Sequence, residues 1–134
     1  MILFLDFDGV LHPVGRDEEP FCRVALLWKI LRDCPDVKVV FSTPWKDSYR
    51  FEEMVDFVID GGGEDLTAQF IGATSNLEAE GHYDRRDIEI QRWLDANGNE
   101  GNWLAIDDMP ELFNDQSRLR SHHALDDAKA NRIA

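Results

Sequence analysis

Residues 2–10, ILFLDFDGV, are the strongest indication of the fold. Its first four residues form a continuous apolar run without polar alternation, which predicts a strand buried on both faces, as in a parallel sheet. Asp6 and Asp8 come at the end of this strand, and Gly9 gives the backbone the freedom to turn after them. In open α/β sheets, ligands bind beyond the carboxyl ends of the strands, so these two carboxylates are candidate functional groups.

Strand and helix patterns alternate along the rest of the chain. Residues 37–41 and 103–106 are dense apolar runs that predict buried strands, and residues 70–73 and 122–125 are weaker strand candidates. Three segments have apolar residues at helical spacing: Phe21, Val24, Trp28 and Leu31 between Pro20 and Pro35; Phe51, Met54, Val55 and Val58 before Gly61-Gly62-Gly63; and the segment from about Asp84 to Ala96, before Asn97-Gly98-Asn99.

This alternation predicts the α/β fold class. We expect a three-layer, Rossmann-like, mostly parallel sheet with helices on both faces, because right-handed crossovers place the helices there. The chain has 134 residues, of which 43% are hydrophobic, enough for one core. We therefore expect residues 1–134 to form a single domain.

The composition disfavours several classes of protein. The 27 acidic and 14 basic side chains give a net charge of −13, whereas general nucleic-acid binding depends largely on Lys and Arg. Cys22 and Cys34 lie outside any C-x-x-C pattern, which predicts free thiols in a reducing compartment. No apolar run approaches the roughly 20 residues of a membrane span, and Asp6 follows Met1 too closely for a leader. We expect a cytoplasmic protein that does not contact membranes.

Four carboxylates follow two of the predicted strands. Asp6 and Asp8 follow the first strand, and Asp107 and Asp108 follow the run at residues 103–106. If these strands are neighbours, each pair of like charges at about 4 Å repels by roughly 4 kcal/mol at an effective dielectric of 20, which a divalent cation would relieve. Ligands that are all oxygen atoms favour Mg²⁺, which is commonly bound together with a substrate phosphate. Asp108 could alternatively cap the turn that follows.

Hydroxyl and basic side chains complete a predicted phosphate site. Ser42 and Thr43 follow the second strand, where hydroxyl groups could bind phosphate oxygens, and Ser42 is favoured because it ends the strand directly. Arg85 and Arg86 open the third helix, where a guanidinium could bind phosphate through two nitrogens. Lys46 is a further candidate for the same role.

These motifs resemble those of the haloacid dehalogenase (HAD) superfamily of phosphohydrolases. Residues 4–10, FLDFDGV, are similar to its motif one, and Ser42 after a buried strand is similar to motif two. Arg86 is similar to the basic motif three, and residues 104–108, LAIDD, are similar to motif four. The resemblance implies the HAD-like version of the predicted sheet.

A narrower resemblance is to a small capless branch, the HAD domains associated with RNA-repair proteins. It rests on STPWK at residues 42–46, on RDIEIQRWL at residues 86–94 and on the ending Asp107-Asp108. Where this branch often has a third hydroxyl residue and an arginine, this chain has Pro44 and Lys46. The short spacing between motifs leaves little room for a cap domain, so the resemblance implies an open site that admits bulky substrates.

The resemblance also implies a Mg²⁺-dependent phosphomonoesterase that acts through an aspartyl-phosphate. Asp6 would attack phosphorus, while Asp8 would protonate the leaving oxygen and then activate water. Mg²⁺ would be bound by Asp6, by the Asp8 backbone carbonyl and by Asp107, with Asp108 as a ligand or beside the ligands. Ser42 and the motif-three arginine would bind the phosphoryl oxygens.

Two other functions stay open at this point. A receiver-like phosphoacceptor domain combines similar groups, but it places a lone phosphoacceptor Asp after a middle strand, and here that strand ends in Ser42. A HAD-like binding module without catalysis is the other alternative. The substrate is equally open: the net charge favours a small phosphoester, and the branch resemblance favours a nucleic-acid terminal phosphate.

Three ring-containing features receive no functional role from the sequence. His12 is expected to be a structural or exposed loop residue. His122 and His123 are adjacent, so on a strand they would point to opposite faces and would not form a metal site. Trp45 is equally consistent with the core and with stacking on a base or sugar.

Overall fold

A computed structural model describes residues 1–14, 19–77, 81, 85–98, 101–113 and 119–121, the last three by their backbone alone. Within them the strands are β1 (Ile2–Leu5), β2 (Lys38–Phe41), β3 (Phe70–Ala73), β4 (Trp103–Asp107) and β5 (Leu119–Ser121). The helices are α1 (Val24–Asp33), α2 (Phe51–Ile59) and α3 (Arg86–Asn97). The strands form one sheet in the order β3-β2-β1-β4-β5, and all neighbours are parallel. The predicted α/β fold is confirmed.

The predicted strands agree closely with the observed ones. The first strand and the weaker candidate at residues 70–73 have the predicted bounds, and β2 and β4 differ from prediction by one residue each. The candidate at residues 122–125 lies outside the described residues, and β5 ends directly before it. Continuous hydrophobicity was therefore a sufficient signal for the three inner strands.

The first helix begins later than its pattern predicts. The repeat that starts at Phe21 suggested a helix from that residue, but α1 starts at Val24. Phe21 has a φ of 60°, a left-handed conformation that does not belong to a right-handed helix. The other two helices are confirmed, and Gly98, with a φ of 66°, follows the end of α3. None of the described helices has the length and apolar character to cross a membrane.

The helices cover both faces of the sheet, as predicted. Leu3 and Leu5 of β1 pack in one core with residues of α1 and α2. Phe4 belongs to a second core on the opposite face, together with Ile90 and Leu94 of α3. Because successive strand residues point to opposite faces, β1 must be apolar at every position to serve both cores.

The register of the sheet brings the polar strand ends to one edge. Leu5 is paired with Phe41 on one side and with Ile106 on the other. The ladder continues one step further, because the Ser42 amide donates to the Leu5 carbonyl at 2.7 Å and the Asp6 amide donates to the Ile106 carbonyl at 3.1 Å. The residues that follow β1, β2 and β4 are therefore neighbours.

Candidate functional site

Three carboxylates converge where β1 and β4 end. Asp6 and Asp107 are 2% and 1% exposed, and Asp108 is half-buried. One oxygen of each carboxylate lies within 4.8 Å of the others. The predicted neighbourhood of the two acidic strand ends is confirmed, and its oxygen-only donor set fits Mg²⁺.

Gly9 allows the chain to turn beside this cluster. Its φ is 78°, in the left-handed region that glycine adopts without strain. A Cβ atom at this position would also overlap the Asp108 carboxylate. Glycine is thus required both by the turn and by the close approach of an acidic side chain.

Arg86, the first residue of α3, enters the same cluster. Its Nη1 atom lies 2.9 Å from Asp6 Oδ2 and also donates a hydrogen bond to Asp107 Oδ2. Burial alone would lower the Arg86 pKa, but the charges of Asp6 and Asp107 raise the pKa above its usual value. A permanently charged guanidinium therefore bridges two of the three carboxylates.

The single guanidinium of Arg86 does not balance the three carboxylates of the cluster. Burial, with a further contribution from the Asp107 charge, raises the pKa of Asp6 to about 8, although Arg86 opposes the shift. Burial also raises the pKa of Asp107, against the effects of Arg86 and of the Met109 amide, which donates to Asp107 Oδ1 at 2.9 Å. A bound cation would favour the ionised form of both carboxylates.

Two buried polar atoms in the site lack a hydrogen-bond partner among the described residues. They are Asp6 Oδ1 and Ser42 Oγ. Thr43 is also buried, but its hydroxyl oxygen accepts a hydrogen bond from the Trp45 amide at 3.3 Å and caps a 3₁₀ turn. Buried groups of this kind are normally satisfied, so a ligand with oxygen atoms or a metal ion is the expected partner.

The expected cluster of four carboxylates is wrong by one residue, because Asp8 lies outside the group formed by the other three. Its side chain is 52% exposed, and both of its oxygens accept hydrogen bonds from aromatic rings. His12 Nε2 lies 2.7 Å from Oδ1, and Trp45 Nε1 donates to Oδ2 at 3.0 Å. The Asp8 carboxylate is thus oriented by two ring nitrogens beside the buried acids.

The three basic candidates have different surroundings. Arg86 contacts the acidic cluster, as described above, whereas Arg85 pairs with Asp87 at 3.0 Å. Lys46 pairs with Glu89 of α3 at 2.6 Å and donates to the Thr74 hydroxyl at 2.9 Å. Of these three side chains, Arg86 is the one that the fold brings to Asp6.

The sequence did not predict that His12 and Trp45 contact the Asp8 carboxylate. A histidine beside a proline in a loop is usually exposed, and its contact with Asp8 depends on the path of the chain between β1 and α1. The spacing of His12 four residues after Asp8 was the available signal. The histidines at 122 and 123 lie outside the described residues.

The fold and the site define a class: a parallel α/β domain with acidic, hydroxyl and basic groups at one edge, as in HAD phosphohydrolases. Residues 2–130 match the family described as the HAD domain in Swiss Army Knife RNA repair proteins, and the chain belongs to that family. This membership separates the chain from receiver-like domains. Neither the curated proteins nor the solved structures contain a match to this chain.

Proposed function

We propose that this chain is a Mg²⁺-dependent phosphomonoesterase that forms an aspartyl-phosphate on Asp6. The observation that carries the proposal is the convergence of the buried Asp6, Asp107 and Arg86 with two unpartnered polar atoms, Asp6 Oδ1 and Ser42 Oγ. A phosphoryl group has oxygen atoms for the hydroxyl and the guanidinium, and its phosphorus is the electrophile that a carboxylate attacks.

In the first step, an Asp6 carboxylate oxygen forms a bond to phosphorus as the bond between phosphorus and the leaving oxygen breaks. Asp8 gives its proton to that leaving oxygen. In the second step, water attacks phosphorus and returns a proton to Asp8, and the bond between Asp6 and phosphorus breaks. Asp6 is regenerated, and inorganic phosphate is released.

The acidic cluster fits a divalent cation. Asp6, Asp107 and Asp108 offer oxygens within 4.8 Å of one another, and we propose that they bind Mg²⁺ together with the Asp8 backbone carbonyl. When bound, Mg²⁺ supplies positive charge that keeps Asp6 ionised and neutralises the phosphoryl oxygens. Arg86 and Ser42 bind the remaining phosphoryl oxygens, and we include the backbone or hydroxyl of Thr43 in this set.

Two substrate classes follow from different observations. The family is named for RNA repair proteins, which supports a phosphate at a nucleic-acid end. The net charge of −13 supports a small phosphoester, because the surface repels a polyanion on average. The described chain between Ser42 and Arg86 consists of two 3₁₀ turns, α2 and β3, which supports one domain with an uncapped site for either class.

The experiment is phosphate release from a panel of substrates, with Mg²⁺ and with a chelator. The panel contains an aryl phosphate, nucleotides, sugar phosphates and oligonucleotides phosphorylated at the 3′ or 5′ end. The matched variants are Asp6→Asn in the site and Asp56→Asn on α2, an acid outside the cluster.

We expect Mg²⁺-dependent turnover that is lost in Asp6→Asn, by about 10³-fold or more, because the nucleophile is removed. The Asp56→Asn variant should retain wild-type turnover. Absence of turnover across the panel, in a protein that binds Mg²⁺, would contradict the proposal and favour a binding module.

A further inference from the structure

The Asp8 carboxylate has an unusual environment for an exposed loop acid. An exposed carboxylate normally exchanges its hydrogen bonds with water, but here each oxygen accepts a hydrogen bond from a ring. Oδ1 faces His12 Nε2 at 2.7 Å, and Oδ2 faces Trp45 Nε1 at 3.0 Å. We name His12 and Trp45 the ring donors. Together they restrict the rotation of the Asp8 carboxylate.

The backbone fixes which His12 nitrogen carries the hydrogen. The Phe21 amide donates to His12 Nδ1 at 3.0 Å. Because a backbone amide only donates, Nδ1 is the acceptor, and the hydrogen of the neutral ring is on Nε2, which faces Asp8. His12 is itself 7% exposed, so water does not readily replace either contact.

The left-handed backbone of Phe21 belongs to this arrangement. A φ of 60° is rare for an aromatic residue. The Phe21 ring packs edge-to-face on His12 at 5.2 Å and on Trp45 at 5.3 Å between centroids. Phe21 thus contacts both ring donors: its amide and its ring contact His12, and its ring contacts Trp45.

Trp45 brings the loop after β2 into the same arrangement. It lies in the 3₁₀ turn that Thr43 caps, and Thr43 directly follows the proposed phosphate-binding Ser42. Its ring also packs edge-to-face on Phe7, between the two acids of motif one, at 5.4 Å. The loops after β1 and β2 are therefore connected through Asp8.

We propose that His12 and Trp45 are positioning residues that orient the Asp8 carboxyl group toward the leaving oxygen. This inference rests on the proposed function, since it concerns the proton that Asp8 transfers. A carboxyl group with restricted rotation delivers its proton in one direction, and catalysis by a positioned acid depends on such alignment. The benefit is greatest when the leaving group is basic and needs the proton.

The test compares phenyl phosphate with 4-nitrophenyl phosphate, which are similar in shape but differ in the basicity of the leaving oxygen. Values of kcat/KM with Mg²⁺ report the first phosphoryl transfer. The variants are His12→Leu, which removes the donor, His12→Gln, which keeps an N–H, and Trp45→Phe, which keeps the aromatic ring. Trp28→Phe is the matched control, because Trp28 Nε1 donates to the Val58 carbonyl, away from the site.

We expect His12→Leu and Trp45→Phe to lower kcat/KM for phenyl phosphate at least about 10-fold more than for 4-nitrophenyl phosphate. His12→Gln should recover part of that loss, and Trp28→Phe should match the wild type on both substrates. Equal losses on the two substrates, or no loss, in an active enzyme would overturn the inference and leave the proposed function standing.

A second measurement does not depend on turnover. Nitrogen-15 NMR of the full-length chain distinguishes the two neutral histidine tautomers, and we expect His12 to carry its hydrogen on Nε2. The Trp45 indole N–H resonance should shift in Asp8→Asn, and that of Trp28 should not. An Nδ1–H tautomer would overturn the inference. A wild-type chain without phosphatase activity would overturn the proposed function, and the positioning role with it.

Discussion

At the scale of single residues, the site depends on an arrangement of charge that only a folded chain can produce. The sequence predicted Asp6, Ser42 and Asp107 because each lies at the end of a strand, and the family resemblance favoured Arg86 over Arg85. The fold brings these four residues to one edge. The sequence did not predict the role of His12, because its spacing from Asp8 does not reveal that the Phe21 amide donates to its ring. Contacts that regular elements determine were predictable, and contacts between loops were not.

Gly9→Ala should damage both stability and activity. A left-handed φ costs a non-glycine residue about 1–2 kcal/mol, and the new Cβ would displace the Asp108 carboxylate. We expect a lower urea midpoint and a loss of Mg²⁺-dependent turnover. The measurements are urea unfolding and phosphate release.

Gly61→Ala separates the two effects. Gly61 has a φ of 86°, but a Cβ there would meet no atom within 4 Å. This variant should lose only the stability that a left-handed φ costs a non-glycine residue, and it should keep its turnover. Equal turnover in Gly9→Ala and Gly61→Ala would contradict a role for the close approach of Gly9 to Asp108.

At the scale of elements, the 3₁₀ turn Pro44–Asp47 contacts three other segments of the fold. Trp45 reaches Asp8 after β1, while Lys46 reaches Thr74 after β3 and Glu89 on α3. The strands and helices themselves were predictable from continuous or periodic hydrophobicity. The turn was not, because four residues carry no period, and its role depends on partners that lie far away in sequence.

Lys46→Met should be strongly destabilising. Lys46 and Glu89 have side chains that are 10% and 8% exposed, so the substitution leaves a buried carboxylate without its cation, at a cost of about 3–5 kcal/mol. The measurement is the free energy of unfolding in urea. The double variant Lys46→Met/Glu89→Met should recover most of the loss, because no buried charge remains.

An exposed ion pair provides the comparison. Arg50 and Glu53 lie 3.3 Å apart, with side chains that are 78% and 42% exposed, and Arg50→Met should cost less than about 1 kcal/mol. If Lys46→Met costs no more than Arg50→Met, the Lys46–Glu89 pair does not connect the turn to α3 as described.

At the scale of the whole molecule, the chain carries a large negative net charge, although its site is proposed for anionic substrates. The net charge is −13, and two of the predicted basic candidates, Arg86 and Lys46, are already paired with acids. The sequence alone predicts this overall field, because it depends on composition and not on fold. The groups that attract a phosphate must therefore lie within the site itself, because the overall charge of the chain repels anions.

Added salt should consequently lower the KM for a long polyanionic substrate. If an end-phosphorylated oligonucleotide is turned over, we expect its KM to fall severalfold as NaCl rises from about 50 to about 200 mM, because screening weakens the repulsion between two polyanions. A nucleoside monophosphate, with few charges, should change little. A KM that rises with salt for the oligonucleotide would instead reveal a basic binding surface.

The central position of β1 has a consequence for the order in which the chain becomes competent during synthesis. Ile2 pairs with Lys38 on one side and with Trp103 on the other, so the second neighbour of β1 leaves the ribosome long after the first. Until then, β1 has an unpaired edge, and Asp6 lacks Asp107. A nascent chain thus contains Asp6 early and acquires the cluster of carboxylates only when β4 has been made.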